Sequence, residues 1–211
     1  MIEFWKIQKN KRAFLQSGMT YVELIVVLSI FAVMSTIVFF NYGEFQAKVD
    51  IKNLASDIAL KIVEAQKSAV AGTLPPLAQQ GVISSAWRPS YGVYMNPGVN
   101  NKIFTYFTDL ENATQNGLYD SSTCPGSGEC LENITITKGN TISKIEVFYT
   151  NGTNALINDV NISFVRPSLS AVIKSSSAFV SVISYVKISI ASPRSAVSSI
   201  KVYTSGRIQV N

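Results

Sequence analysis

Gly18-Met19-Thr20-Tyr21-Val22-Glu23-Leu24, with the run from Leu24 to Phe40 behind it (LIVVLSIFAVMSTIVFF), decides how the rest of the chain is read. No side chain from Leu24 to Phe40 is charged. At about 1.5 Å per helical residue this run spans roughly 25 Å, close to the thickness of a bilayer core once Met19–Val22 are added. Yet a carboxylate, Glu23, sits inside the apolar segment. A charge at a bilayer centre costs at least about 2.5–3.5 kcal/mol on insertion scales, so it needs a partner or a purpose. Lys6, Lys9, Lys11 and Arg12 lie upstream. Basic residues flanking a membrane segment stay cytoplasmic, so the chain is expected to be a single-pass membrane protein with everything after Phe40 facing outward.

A basic leader, a small residue, then a helix with a carboxylate at its fifth position resembles the type IV prepilin signature of pilins and of the pseudopilins of type II secretion. The resemblance implies a leader at 1–18, cut after Gly18 by a prepilin peptidase, and N-methylation of the new terminus Met19, where many pilins carry Phe. It implies that Glu23 meets the terminal amine of a neighbouring subunit and sets axial register during assembly. Two plainer readings stand beside it. Glu23 also suits a helix N-terminus through the helix dipole. An uncleaved signal anchor would share the apolar run; an ordinary secretory signal would be cut after it, and no A-x-A-like site follows Phe40.

The chain has 211 residues, 47% hydrophobic and 15% charged, which suits one membrane helix and one modest globular domain. Of the net charge of +5, the leader contributes +3, so the remainder is nearly neutral and the basic pI is mostly a property of the leader. There is no histidine, which removes the commonest general base and metal ligand. No Gly-rich phosphate loop, supported nucleophile or metal-ligand cluster is legible, so the chain is read as no enzyme, with no cofactor and no metal.

From Met19 to about Ala71 the sequence reads as one long helix, apolar on all sides over 19–42 and amphipathic over 43–72. Ile51, Leu54, Ala55, Ile58, Ile62, Ala65 and Ala69 recur at three and four, with Asp50, Lys52, Asp57, Lys61, Glu64 and Lys67 on the other faces. Asp57–Lys61 and Glu64–Lys67 have the spacing of helical ion pairs. Ser35-Thr36 or Gly43 would soften the helix. Gly72, Pro75 and Pro76 end it. A short amphipathic turn is expected in Leu77–Ile83. Residues 73–211 then read as a β-rich domain with strands at Tyr91–Met95, Ile103–Phe107, Ile134–Thr137, Ser143–Thr150, Ala155–Val165, Ala171–Lys174, Phe179–Ala191 and Ser199–Val210. In Phe179–Ala191, alternation puts Val180, Val182, Val186, Ile188 and Ile190 on one face. Ser205-Gly206 marks a closing hairpin. The expected class is α+β, a long N-terminal helix sharing one core with an antiparallel, sandwich-like sheet domain.

Cys124 and Cys130 bound a turn-rich loop. Zinc would need further ligands, so a disulfide stapling a surface loop is the preferred reading, with free thiols the alternative. Asp109, Glu111, Asn112, Asn116, Gly117 and Asp120 are rich in oxygen, as calcium loops are, but lack EF-hand spacing and read as a solvated turn. Tyr91–Met95, Phe104–Asp109, Ile162–Pro167 and Ser205-Gly206-Arg207-Ile208 resemble the GspH/FimT-type minor pilins and pseudopilins, which implies a pilin fold with a β-sandwich-like domain on the long helix. Some FimT-like members bind DNA through a C-terminal G-R-x-R, whose fourth position here is Gln209. Arg207, Lys201 and Arg194 are the candidate phosphate contacts, against a plainer role blunting sheet edges. The expected partners are the prepilin peptidase, other pilin or pseudopilin subunits, an inner-membrane assembly platform, the lipid bilayer before assembly, and DNA as the alternative. The expected destination is an extracellular or periplasmic filament.

Overall fold

The computed structural model describes residues 18–81, 83, 85–110, 115–120, 124 and 128–211. One helix dominates it, α1 (Tyr21–Ala71), followed by the single turn α2 (Leu77–Gln80). Ten strands follow: β1 (Ser90–Met95), β2 (Ile103–Thr108), β3 (Cys130–Thr135), β4 (Thr141–Tyr149), β5 (Asn154–Ile157), β6 (Val160–Val165), β7 (Ala171–Lys174), β8 (Ile183–Ala191), β9 (Val197–Tyr203) and β10 (Ile208–Val210). They form two five-stranded antiparallel sheets, in the orders β3-β2-β1-β6-β7 and β10-β9-β8-β4-β5. The chain divides into two units, one ending at Gly43 and one starting at Glu44.

Helix α1 begins two residues later than Met19 because Thr20 caps it. The Glu23 amide donates to Thr20 Oγ1 at 3.3 Å, and the Leu24 amide to the Thr20 carbonyl at 3.1 Å. The far end closes on Gly72, whose φ of 71° is open to glycine at little cost. Gly72 N–H donates to the Ala69 carbonyl and Thr73 N–H to the Ser68 carbonyl, both at 3.1 Å, so two otherwise orphaned carbonyls are satisfied.

Within the second unit, one face of α1 is the spine of the core. Ala47, Ile51, Ala55, Ile58, Ile62, Ala65 and Ala69 are buried with Val93, Met95, Phe104, Ile162 and Phe164 of the first sheet and Ile145, Val147, Val186, Ile188, Ile200 and Val202 of the second. The alanines let strands approach closely; the isoleucines fill the space between. Truncating Ile62, which has no exposed surface, to Ala should cost about 2–5 kcal/mol. The same change at Leu60, exposed on the opposite side, should stay within about 0.5 kcal/mol in the monomer. Chemical denaturation of the two variants measures both.

Several expectations change. Lys61 does not pair with Asp57. It reaches Glu64 at 3.0 Å and Glu132 of β3 at 2.8 Å, so the lysine ties helix to sheet. Ala155–Val165 is two strands, in different sheets. Asp159, buried at the break, accepts hydrogen bonds from Ser175 Oγ and from the backbone and hydroxyl of Ser176, which replaces ladder pairing there. Val180 and Val182 precede β8 and are exposed, while Val186, Ile188 and Ile190 keep the expected inward face. In α2 the amphipathic expectation inverts. Leu77 is exposed and Gln79 buried, because the Gln79 amide donates to the carbonyls of Gly128 at 2.6 Å and Cys130 at 3.2 Å.

Candidate functional site

Helix α1 is long and apolar enough to cross a membrane, with a mean hydropathy of 2.5 over its most apolar window. Every residue from Gly18 to Phe40 is exposed. Soluble monomers rarely expose apolar patches beyond a few hundred Å², and a helix bare on all sides over this length needs lipid or protein around it. Two of its three hydroxyls between Leu24 and Phe40 are satisfied within the helix. Ser29 Oγ donates to the Val26 carbonyl and Thr36 Oγ1 to the Ala32 carbonyl, each at 2.8 Å, so neither hydroxyl enters an apolar phase unpaired. Helix α1 runs on as α-helix through Ser35, Thr36 and Gly43.

Glu23 is the charged group of this segment. It lies in the first helical turn, exposed, and among the described residues it has no ion-pair partner. Thr20-Tyr21-Val22-Glu23 has the spacing of a capping box, a signal in the sequence that accounts for where the helix starts. The cap uses the Glu23 amide and leaves its carboxylate free to meet a cation. Gly18 and Met19 precede the helix in irregular, exposed backbone, with open space around the Gly18 Cα. Residues 1–17 of the expected leader lie outside the described residues.

The second sheet brings Lys201 and Arg207 together and leaves Arg194 out. Cross-strand pairing aligns Phe148, Tyr185 and Tyr203 in one row. Phe148 and Tyr185 stack at 4.6 Å, and Tyr185 and Tyr203 lie 5.1 Å apart. The Arg207 guanidinium sits 3.9 Å from the Tyr203 ring centre, and Lys201 Nζ 5.5 Å from that of Tyr185. Lys187 lies directly across from Lys201, partly offset by Glu146 at 3.9 Å. Arg194 falls in the β8–β9 turn, at the other end of β9, roughly 20 Å along the strand. The aromatic row was missed in the sequence. Its three residues come from β4, β8 and β9, of which only the last two are consecutive in the chain, and only the register joins them.

The oxygen-rich loop is only in part a solvated turn where the structure describes it, with Asp120 exposed and Asp109 buried; Glu111 and Asn112 lie outside the described residues. Asp109 is fully buried, its Oδ2 accepting from the Gly117 amide at 2.7 Å. Glu129 is buried too, taking the Leu110 amide at 3.2 Å and the Asp120 amide at 2.8 Å. Among the described residues no group of acidic, histidine or cysteine side chains is arranged to hold a metal. Cys124 and Cys130 are joined in a disulfide with Cα atoms 5.1 Å apart. The bond does more than close a surface loop: Cys130 is buried as the first residue of β3, opposite Phe107, so the loop is fastened to the sheet.

Burial, and then the nearby Asp109 and Asp120, push the Glu129 carboxyl up to about 7, against the pull of its two amide donors. The unfolded carboxyl ionises near 4.5. Between the two values the native state binds the extra proton, so this group's contribution is full below the lower value and lost as pH rises through about 7. The loss is at most about 3 kcal/mol. Denaturation midpoints across that window should fall with rising pH, and Glu129→Gln should flatten the slope.

The chain matches no protein-family model, no curated protein and no solved structure.

Proposed function

We propose that the chain is a prepilin-like structural subunit, a minor pilin or pseudopilin of a type IV pilus or type II secretion system. The observation that carries this reading is the bare apolar half of α1 with one carboxylate in its first turn that has no ion-pair partner among the described residues, ahead of a folded α+β domain. A prepilin peptidase cuts after Gly18, and Met19 becomes the methylated terminus. Before assembly the segment 19–42 anchors the subunit in the bilayer, with the basic leader cytoplasmic and the sheet domain outside. On extraction by an inner-membrane assembly platform, that apolar surface is buried against the helices of other subunits, and the hydrophobic effect favours association. Glu23 then pairs with the terminal amine of a neighbour, since a carboxylate in an apolar filament core must find a cation. The pilin fold is the finer form of the α+β architecture in this reading. Shearing filaments from cells and immunoblotting for the chain tests it. The subunit should co-purify with the filament; its retention in the membrane fraction under conditions that build filaments would oppose the proposal.

DNA binding by the sheet domain is the second reading, favoured by the cation–aromatic row at Tyr185, Tyr203, Lys201 and Arg207. Stacking on aromatic rings beside phosphate-reaching cations suits single strands. Affinity should fall steeply with salt and drop on Arg207→Ala. Binding that ignores both would remove this reading. A signal-anchored exported domain unrelated to filaments is the remaining alternative, and it predicts no cut at Gly18.

A further inference from the structure

A cleft of about 360 Å³ opens on the side of the first sheet away from the core. It is bounded by Tyr94 and Asn96 of β1 and its turn, Asn100, Thr105 of β2, Asn133 of β3, and Tyr119 from the loop that crosses the sheet. The volume lies at the lower end of small-molecule clefts, roughly 300–1,000 Å³. Its chemistry is consistent from residue to residue. Two tyrosine rings, 5.2 Å apart, form an aromatic wall. Three amides and the hydroxyls of Thr105 and the two tyrosines supply hydrogen bonding, and among the described residues no charged side chain lines the cleft.

The amides are held in place by the protein. Asn96 Oδ1 accepts from the Val99 amide at 3.1 Å, while its Nδ2 donates to the Tyr94 hydroxyl at 3.0 Å. Asn100 Oδ1 accepts from the Lys102 amide at 2.9 Å. Asn133 Oδ1 takes the Thr105 hydroxyl at 2.7 Å. Each amide is therefore fixed by its oxygen, and the NH₂ groups of Asn100 and Asn133 stay without a protein partner among the described residues. Fixed donors beside an aromatic wall are a preorganised recognition surface, with little side-chain freedom left to lose on binding.

We infer that this cleft binds a neutral carbohydrate, one or two sugar units long. Sugar hydroxyls accept from the fixed amides, and the C–H face of a pyranose packs on a tyrosine ring. An apolar ligand would strand the amides unpaired. A nucleotide or an acidic ligand would bring a charge for which the lining has no counterion. The inference concerns a different surface from the helix and does not depend on filament assembly.

The test is calorimetric titration of the full chain in dodecylphosphocholine micelles, a detergent with no sugar headgroup. The probes are N-acetylglucosamine, its β-1,4-linked disaccharide, cellobiose and lactose, with a sulfated heparin disaccharide as the anionic comparator. At least one neutral probe should bind saturably below about 10 mM. Tyr94→Ala should weaken that binding at least tenfold. So should Asn133→Ala, which removes the donor without adding a charge. Leu156→Ala, exposed on the other sheet, should leave it unchanged. No saturable binding of any neutral probe, binding of the sulfated disaccharide alone, or affinity that survives both cleft substitutions would overturn the assignment.

Discussion

Replacing Glu23 by Ala should leave the subunit in the membrane and cut its incorporation into filaments at least tenfold. Removing a carboxylate from an apolar run makes insertion easier, not harder. The helix itself barely notices. An acid in the first turn is worth about 0.3–1 kcal/mol, and the Thr20 cap uses the residue-23 amide, which alanine retains. A 51-residue helix whose second half is packed in the core does not unfold for that. A large assembly defect in a variant that inserts normally would therefore report a lost contact between subunits. The ratio of the chain in sheared filaments to that in membranes measures it, and an unchanged ratio would remove the register-setting role of Glu23.

Gly206→Ala should destabilise the sheet domain by about 3 kcal/mol or more. Gly206 has φ of 85°, and a Cβ there would lie 2.0 Å from the Leu169 carbonyl oxygen and 2.6 Å from Gln66 Nε2. The crowding has a structural source. The Gln66 amide reaches out of α1 to donate to the carbonyls of Leu169 at 2.9 Å and Gly206 at 3.2 Å, drawing the β9–β10 hairpin and the start of β7 onto the helix. A methyl group would push the backbone off this contact. Gly152 provides the comparison. It has the same φ of 85° but open space around it, so Gly152→Ala should cost only about 1 kcal/mol. Denaturation curves for the two variants separate strain from collision; equal costs would show that close packing at Gly206 contributes nothing.

The sequence made the helix legible because both of its signals are local. The uncharged run marks the bare half, and the spacing of Ile51, Ala55, Ile58, Ile62, Ala65 and Ala69 marks the face that is buried. Strand positions were legible for the same reason in β1, β2 and β7. What did not show depends on partners distant in the chain. The break between β5 and β6, which lie in different sheets, falls where Asp159 meets Ser175 and Ser176. The burial of Asp109 and Glu129 depends on a loop folding back over the first sheet, where Phe107 lies across Gly92. Acidic residues beside glycine look solvated when read alone. Ser205-Gly206 read as a turn, but its intolerance of a side chain comes from the Leu169 carbonyl and then from Gln66, 140 residues earlier. At the candidate site, Glu23 stood out by composition alone, while the aromatic row beneath Lys201 and Arg207 exists only through the register of β4, β8 and β9.

Mass spectrometry of the mature N-terminus, on protein recovered from cells that carry a prepilin peptidase, tests the central claim most directly. The first peptide should begin at N-methylated Met19, with residues 1–18 gone. An intact leader, or a first residue beyond Phe40, would contradict it.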